Sequence, residues 1–322
     1  MKLGVLTNLF GSLPLEEALV KFEKLGIEAV EIGCGGYPGK DHADPKVLLA
    51  DDAKLAEFKD ALARHNMALA CLSCHGNAVH PDPAIAKSYD DDFHDAVLLA
   101  EKLGVDTIVT FSGCPGGSPA DKTPNWVTCP WPDDFGKILD YQWNEVLIPY
   151  WKKTAAFAKE HGVTKIAFEM HPGFCVYNPA TLLRLREAVG DAIGANFDPS
   201  HLIWQGIDPV AAIRALEGAI YHFHAKDTKV DKYNVAVNGV LDTKSFGDEI
   251  HRSWIFRSVG YGNGLDFWRE IISNLRLVGY DKVMSIEHED SLMNQDEGLA
   301  HAAAFLKDSI IAEPRPGEMR WF

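Results

Sequence analysis

KIAFEMH at 165–171, IGANFD at 193–198 and YHFHAKD at 221–227 each run apolar for a strand's length and then end on an acid or an imidazole. Outward from them the same rhythm recurs along the chain: KLGVLT at 2–7, AVEIG at 29–33, ALACLS at 68–73, DTIVTFS at 106–112 and KVMSIEHED at 282–290. Between these runs lie segments of helical periodicity, among them LEEALVKFEKLG, FHDAVLLAEKLG and LDFWREIISNLRLVGY. Gly26, Gly104, Gly162 and Gly279 follow helices and precede strands, where a left-handed C-terminal cap is expected. Eight strand–helix units predict a closed parallel (β/α)8 barrel; an open doubly wound sheet would carry a GxGxxG after its first strand, and KLGVLT is followed by none. CGGYPG at 34–39 reads as a loop after the second strand. The connections 74–90, 112–140 and 228–263 are long, which puts elaborated loops on the C-terminal face of the barrel, the face that carries active sites in this fold. Residues 1–322 are read as one barrel domain with a tail from about 313.

Of the 322 residues, 47% are hydrophobic and 24% charged, a composition that can bury a large core, with no run long enough to span a bilayer. The N-terminal segment goes directly into an amphipathic pattern without a cleavage site, so a cytoplasmic protein is expected. A net charge of -15 repels a polyanion, which argues against nucleic acid as partner. Cysteines at 34, 71, 74, 114, 129 and 175 are scattered and read as reduced; Cys71 and Cys74, three apart in a strand, should point to opposite faces.

Glu169, Asp198, His224 and Glu287 sit at the C-terminal ends of predicted strands. The first three are spaced by 29 and 26 residues, each about one βα unit, and the last step of 63 spans the long loop. Neighbouring strands lie ~4.8 Å apart, so inward side chains at one rim can converge on one ion. A single acid at a strand end is usually a cap or an ion pair. Four in otherwise apolar strands would be costly to bury without a cation between them. Three carboxylates and one imidazole suit one divalent ion, Mn2+ foremost, with Mg2+, Co2+ or Zn2+ as alternatives. By strand parity His171 shares a face with Glu169, Lys226 with His224 and Glu289 with Glu287, whereas Asp227 faces away as a supporting group. His75 is a substrate contact or a loop-fixing hydrogen bonder, and His222 points inward but deeper, as a satisfied core histidine. Trp126, Trp131, Trp143, Trp204 and Trp254 are core residues or platforms for a sugar face.

The segments FDPSH, HFHAKD, RSVGYGNGLDFW and SIEHED resemble the xylose-isomerase-like TIM barrel superfamily, which includes sugar isomerases, ketose 3-epimerases, inosose-processing enzymes and an apurinic endonuclease branch. The resemblance implies that Glu169, Asp198, His224 and Glu287 ligate the metal, with the two glutamates doubling as acid and base. It further implies that His201 contacts substrate oxygen or metal-bound water, and that Arg257 binds a substrate hydroxyl or carbonyl oxygen.

The expected chemistry is proton transfer beside a carbonyl: the metal polarises substrate oxygens and stabilises an enediolate, one glutamate removes a proton and the other returns it. That describes a sugar isomerase or epimerase acting on a keto-sugar or keto-glycoside. Its nearest rival is a dehydratase or lyase that expels a β-leaving group, for which His75, His171 or Lys226 would be the general acid. An apurinic-type endonuclease and a non-catalytic sugar-binding barrel are the remaining alternatives. The expected partner is a small carbohydrate, with no membrane and with homo-oligomerisation open.

Overall fold

In the computed structural model, which describes residues 1–313, eight strands close into a parallel barrel. They are β1 (Lys2–Leu6), β2 (Ala29–Gly36), β3 (Ala68–His75), β4 (Thr107–Thr110), β5 (Lys165–Glu169), β6 (Ile193–Phe197), β7 (Ile220–Ala225) and, after an excursion, β10 (Val283–Ile286). The excursion holds β8 (Asp227–Val230) and β9 (Trp254–Arg257), an antiparallel pair outside the barrel. The tail expected from about 313 falls outside the described residues. No helix among them is long and apolar enough to cross a membrane.

Helices between the strands begin where the sequence supplies a cap. Asp82 accepts hydrogen bonds from the backbone N–H groups of Ala84 and Ile85 ahead of Pro83–Leu103, and Asn178 with Thr181 forms a capping box before Pro179–Val189. The four glycines expected as left-handed caps all have positive φ, between +63° and +86°. Trp151, Trp268, Phe22 and Phe168 are fully buried, anchoring the core.

Two expectations change. YHFHAKD is not one strand to its end: β7 stops at Ala225, Lys226 turns out of the ladder, and Asp227 opens β8, which pairs with β9, Asp227 opposite Arg257. The cause is Asp227, whose Oδ2 accepts from the backbone N–H of Gly260, Gly262 and Asn263 and so pulls the following loop onto the strand's end. CGGYPG is not simply a loop either, since β2 runs through Gly36 with a register shift between Gly33 and Gly35. A Cβ at Gly36, which has φ +64°, would fall against the carbonyl of His75, so the close approach of β2 to β3 requires glycine there. The long segments also contain structure of their own: Pro83 already starts a helix, Asp133–Asp140 is helical and widens to π spacing over Tyr141–Leu147, and Lys232–Asn238 forms a short helix.

Candidate metal centre and its flanking groups

Glu169 ends β5, Asp198 follows β6, His224 lies in β7 and Glu287 follows β10, and the barrel order β10-β7-β6-β5 makes these four strands neighbours. One donor atom from each lies within 4.8 Å of the others. Asp198 also caps the helix Pro199–Trp204: its Oδ1 accepts from Ser200 N–H at 2.8 Å, which turns Oδ2 inward. His224 is fixed from behind by Glu31, whose two oxygens stand 2.9 Å from Nε2. With Nε2–H committed to that carboxylate, Nδ1 is the ring nitrogen that faces the other three residues, and it can offer a lone pair once its proton is displaced.

Three of the four donor atoms, Asp198 Oδ2, His224 Nδ1 and Glu287 Oε2, are buried with no hydrogen-bond partner. His224 Nδ1 and Glu287 Oε2 stand 3.0 Å apart without hydrogen-bond alignment. His201 and Lys226 supply positive charge at the edge of the group, at 3.2 Å from Asp198 and 3.3 Å from Glu287, but leave these atoms without hydrogen bonds, so the residues present fit a divalent ion that takes the place of the His224 proton.

Electrostatics follow from this crowding. Burial pushes the His224 pKa down, but the carboxylates of Glu31 and Glu287 outweigh it and hold it well above the ordinary imidazole value. Burial likewise pushes Glu169 and Glu31 up, and the surrounding imidazoles hold both well below the usual carboxylate range. His201, 2.9 Å from Glu169 and 3.2 Å from Asp198, is raised to about 9 because Asp198 and Glu169 overcome its burial.

The remaining expected site residues divide into two groups. His75 approaches Glu169 with Nε2 at 3.0 Å, and Lys226 places Nζ 3.3 Å from Glu287 and 2.7 Å from Glu289. His171 hydrogen-bonds through Nδ1–H to the carbonyl of Pro172 at 2.6 Å, and its ring is 4.1 Å from that of His201. Burial and the neighbouring His201 push the His171 pKa well down, so the ring is neutral and Nε2 is an acceptor. His75, His171, Lys226, Glu169 and Glu287 line a cavity of about 210 Å³ over the quartet. Arg257 is not among its lining residues: its Nε is held by Asp290 at 2.9 Å.

Sequence reasoning missed Glu31, Asn196, Tyr37 and Phe111. Glu31 accepts from Ser73 Oγ, from Ser285 Oγ at 2.7 Å and from His222 at 2.8 Å as well as from His224. The available signal was a glutamate in the middle of the apolar run AVEIG, a position that tolerates an acid only when it is partnered. Asn196 donates to Glu169 at 3.3 Å, and Tyr37 and Phe111 wall the cavity. His222 is the satisfied inward histidine expected, Asp227 is a supporting group, and all six cysteines are free, with Cys71 and Cys74 in separate apolar clusters. Among the tryptophans, Trp143 is buried in the core and Trp131 is exposed, while Trp126, Trp204 and Trp254 line a second cavity.

Comparison with known proteins agrees with this architecture. The chain is 43% identical over 312 residues to YfiH of Bacillus subtilis (strain 168), an uncharacterised protein, spanning 96% of this chain and 99% of that one. Three solved structures overlay on almost the whole chain. The probable 3-DHS dehydratase AsbF of Bacillus anthracis does so with TM-score 0.66 and 16% identity, covering 95% of this chain and 99% of its own. An L-ribulose 3-epimerase gives 0.62 and 18%, covering 96% and 94%. The IolI protein, solved with a zinc atom, gives 0.64 and 19%, covering 96% and 98%. At these identities the overlays show a shared fold. The xylose isomerase-like TIM barrel family matches residues 19–309, and the chain belongs to that family.

Proposed function

We propose that the protein is a divalent-metal-dependent sugar isomerase or epimerase that moves a proton at a carbon beside a carbonyl of a keto-sugar or keto-glycoside. The observation that carries this reading is the quartet with its three orphaned donor atoms beneath an open cavity. Glu169, Asp198, His224 and Glu287 would hold the ion, with Mn2+ foremost and Mg2+, Co2+ or Zn2+ as alternatives. That the IolI structure, which shares the fold, was solved with a zinc atom supports a metal-binding member of this fold. When bound, the ion supplies Lewis acidity at the substrate's oxygens.

The chain's own residues divide the rest of the work. Glu169 has both oxygens engaged, by His75 and by His201, so it is oriented and strongly biased to the carboxylate form. Glu287 is partly exposed and lines the cavity, whereas both oxygens of Glu169 are engaged, which favours Glu287 as the group that takes the proton first. Lys226 is a cation that lines the cavity and would bind a substrate oxygen, while His201, buried behind it, is a cation held against Glu169 and Asp198 and orients them. His171 presents an acceptor to a hydroxyl.

Elimination is the second reading, supported by the overlay with a probable dehydratase. It needs a group that gives up a proton near neutrality. Lys226 is held well above the ordinary lysine value because Glu287, Glu289 and Asp198 outweigh its burial, and His171 is already unprotonated, so neither is poised for that role, which leaves His75, in the cavity and 3.0 Å from Glu169, as the candidate acid of this reading. The experiment is NMR in D2O with Mn2+-loaded protein and a panel of ketoses, inososes and 3-keto-glycosides. Deuterium entering a carbon next to the carbonyl supports proton transfer. An unsaturated product or a released aglycone shifts the assignment to lyase, and turnover with no carbon-bound exchange removes the carboxylate-base reading.

A further inference from the structure

Beside the metal-side cavity lies a second one of about 520 Å³, and His171 lines both. The first, at about 210 Å³, is smaller than the ~300–1,000 Å³ of ordinary small-molecule sites, and the second falls within that range. Its walls are aromatic. Trp204 and Trp254 stack at 4.5 Å with a 7° angle between planes, Phe246 stands edge-on to Trp254, and Trp126 closes another side.

The polar groups of this wall are short of acceptors. The buried indole N–H groups of Trp126 and Trp204 have none among the described residues, and neither has Nη2 of Arg252. Arg252 is 1% exposed and donates from Nε to the Trp254 carbonyl at 3.1 Å and from Nη1 to the Lys244 carbonyl, yet no carboxylate lies within ion-pair distance of it among the described residues; its guanidinium rests on the rings of Phe246 at 4.3 Å and Trp254 at 4.6 Å. A guanidinium stays charged, and a buried one without a counter-ion is stabilised by any oxygen-rich partner that reaches it. Flat aromatic faces combined with unsatisfied donors match one chemistry: a ring with CH faces and several oxygen acceptors.

We propose that this cavity is a subsite for a second sugar ring, so that the substrate is a glycoside of two rings, with the reacting ring over the quartet and the other between Phe246, Trp126 and the Trp204–Trp254 stack. The proposal rests on the sugar-enzyme reading for what occupies the first cavity. Its test is binding, which needs no turnover.

Saturation-transfer NMR and titration would compare glucose, cellobiose, maltose, sucrose, trehalose and phenyl β-D-glucoside on the Mn2+-loaded protein. At least one disaccharide should bind roughly tenfold or more tighter than glucose, with transfer to both rings. Phe246→Ala, a change at a side chain 61% exposed, and Trp126→Ala should each remove most of that advantage while leaving glucose binding and metal content unchanged. Disaccharides no tighter than glucose, phenyl glucoside tighter than every disaccharide, or variants that weaken glucose equally would each overturn the subsite. Deuterium exchange absent from every keto-sugar alongside an intact disaccharide advantage would strike the proposed reaction and leave the subsite standing.

Discussion

Two layers inside the barrel hold clusters of acid and imidazole that look alike by composition and differ in how they are satisfied. In the lower layer Glu31 gathers Ser73, Ser285, His222 and His224, and both of its oxygens are engaged. In the upper layer Glu169, Asp198, His224 and Glu287 converge as closely, but three donor atoms have no hydrogen-bond partner among the described residues. Proximity alone would nominate both, since Glu31, His222 and His224 also stand close enough to share an ion. Hydrogen-bond accounting separates them: the lower cluster is satisfied by protein groups, and the upper one keeps open donor atoms that the proposed cation would satisfy. His224 belongs to both and makes the lower layer the support of the upper.

The largest expected effect tests that division directly. Asp198→Asn, His224→Ala, Glu169→Gln and Glu287→Gln should each lower bound metal in elemental analysis after dialysis, and the two glutamine variants should reduce deuterium exchange by ~100-fold or more, the scale of general-base catalysis. Asn at 198 can still cap its helix through the side-chain oxygen, so loss of metal there is not loss of fold. Wild-type metal content in all four variants would break the comparison.

Next in size is Glu31→Gln. The change leaves the fold's apolar packing in place but removes the charge behind His224, and supporting groups of this kind contribute ~10–100-fold to metal affinity. Equilibrium titration of metal-free protein should show a shift in that range, with the unfolding free energy lowered by on the order of 3–5 kcal/mol, because a buried cationic imidazole would lose its counter-charge. If Glu31→Gln abolished metal binding while Glu287→Gln preserved it, the two layers would exchange roles.

The same contrast explains what the sequence made legible. Glu169, Asp198 and Glu287 announce themselves because each is an acid at the end of an apolar run, and strand spacing alone brings such ends to one rim. Glu31 does not, since its partners lie 42, 191, 193 and 254 residues away and no local pattern encodes them. The β8–β9 pair was hidden for a related reason: DTKV continues the alternation of β7, and only the Asp227 contacts with the backbone of Gly260, Gly262 and Asn263, more than thirty residues on, divert it. Arg257 was placed by family pattern rather than by chemistry, and Asp290, which holds it, was not in view.

A pH experiment sharpens the shared role of His224. In the metal-free protein its pKa is raised above the 6.5 of a free imidazole, so its contribution to stability is full below that value and is lost as pH rises through the folded-state pKa. Glu31 is depressed below 4.5, so its contribution is present above that value and is lost as pH falls through its own folded-state pKa. Metal-free protein should therefore be most stable between about 4.5 and 6.5 as far as this pair decides, and metal, which must displace the His224 proton, should bind more tightly as pH rises through neutrality. Calorimetry of metal binding in buffers of different ionisation heat should detect close to one proton released near pH 7, and less for Glu31→Gln, whose His224 has lost its largest source of elevation. A proton count that does not change in Glu31→Gln would separate the layers energetically.

The smallest effect is expected at Arg257, and it tests whether a satisfied group can still be a substrate contact. Its Nε donates to Asp290, the same carboxylate accepts from the backbone N–H of Ser258 and Leu292, and the guanidinium lies 5.5 Å from the Tyr261 ring. Those contacts fix the start of the loop that Asp227 clasps, so a structural role predicts that Arg257→Ala costs ~1–3 kcal/mol of stability, the scale of a truncated charged hydrogen bond. Metal content should remain at the wild-type level, and kcat and KM for an accepted keto-sugar should change little once the protein is folded. Arg257→Lys should recover part of the stability, since an ammonium can still reach Asp290 but loses the planar donor pair. A rise in KM with unchanged kcat and unchanged stability in Arg257→Ala would instead return the residue to substrate binding, through the Nη groups that Asp290 leaves uncommitted. The pattern of partners would then be a poorer guide to function at the rim than it is at the two layers below.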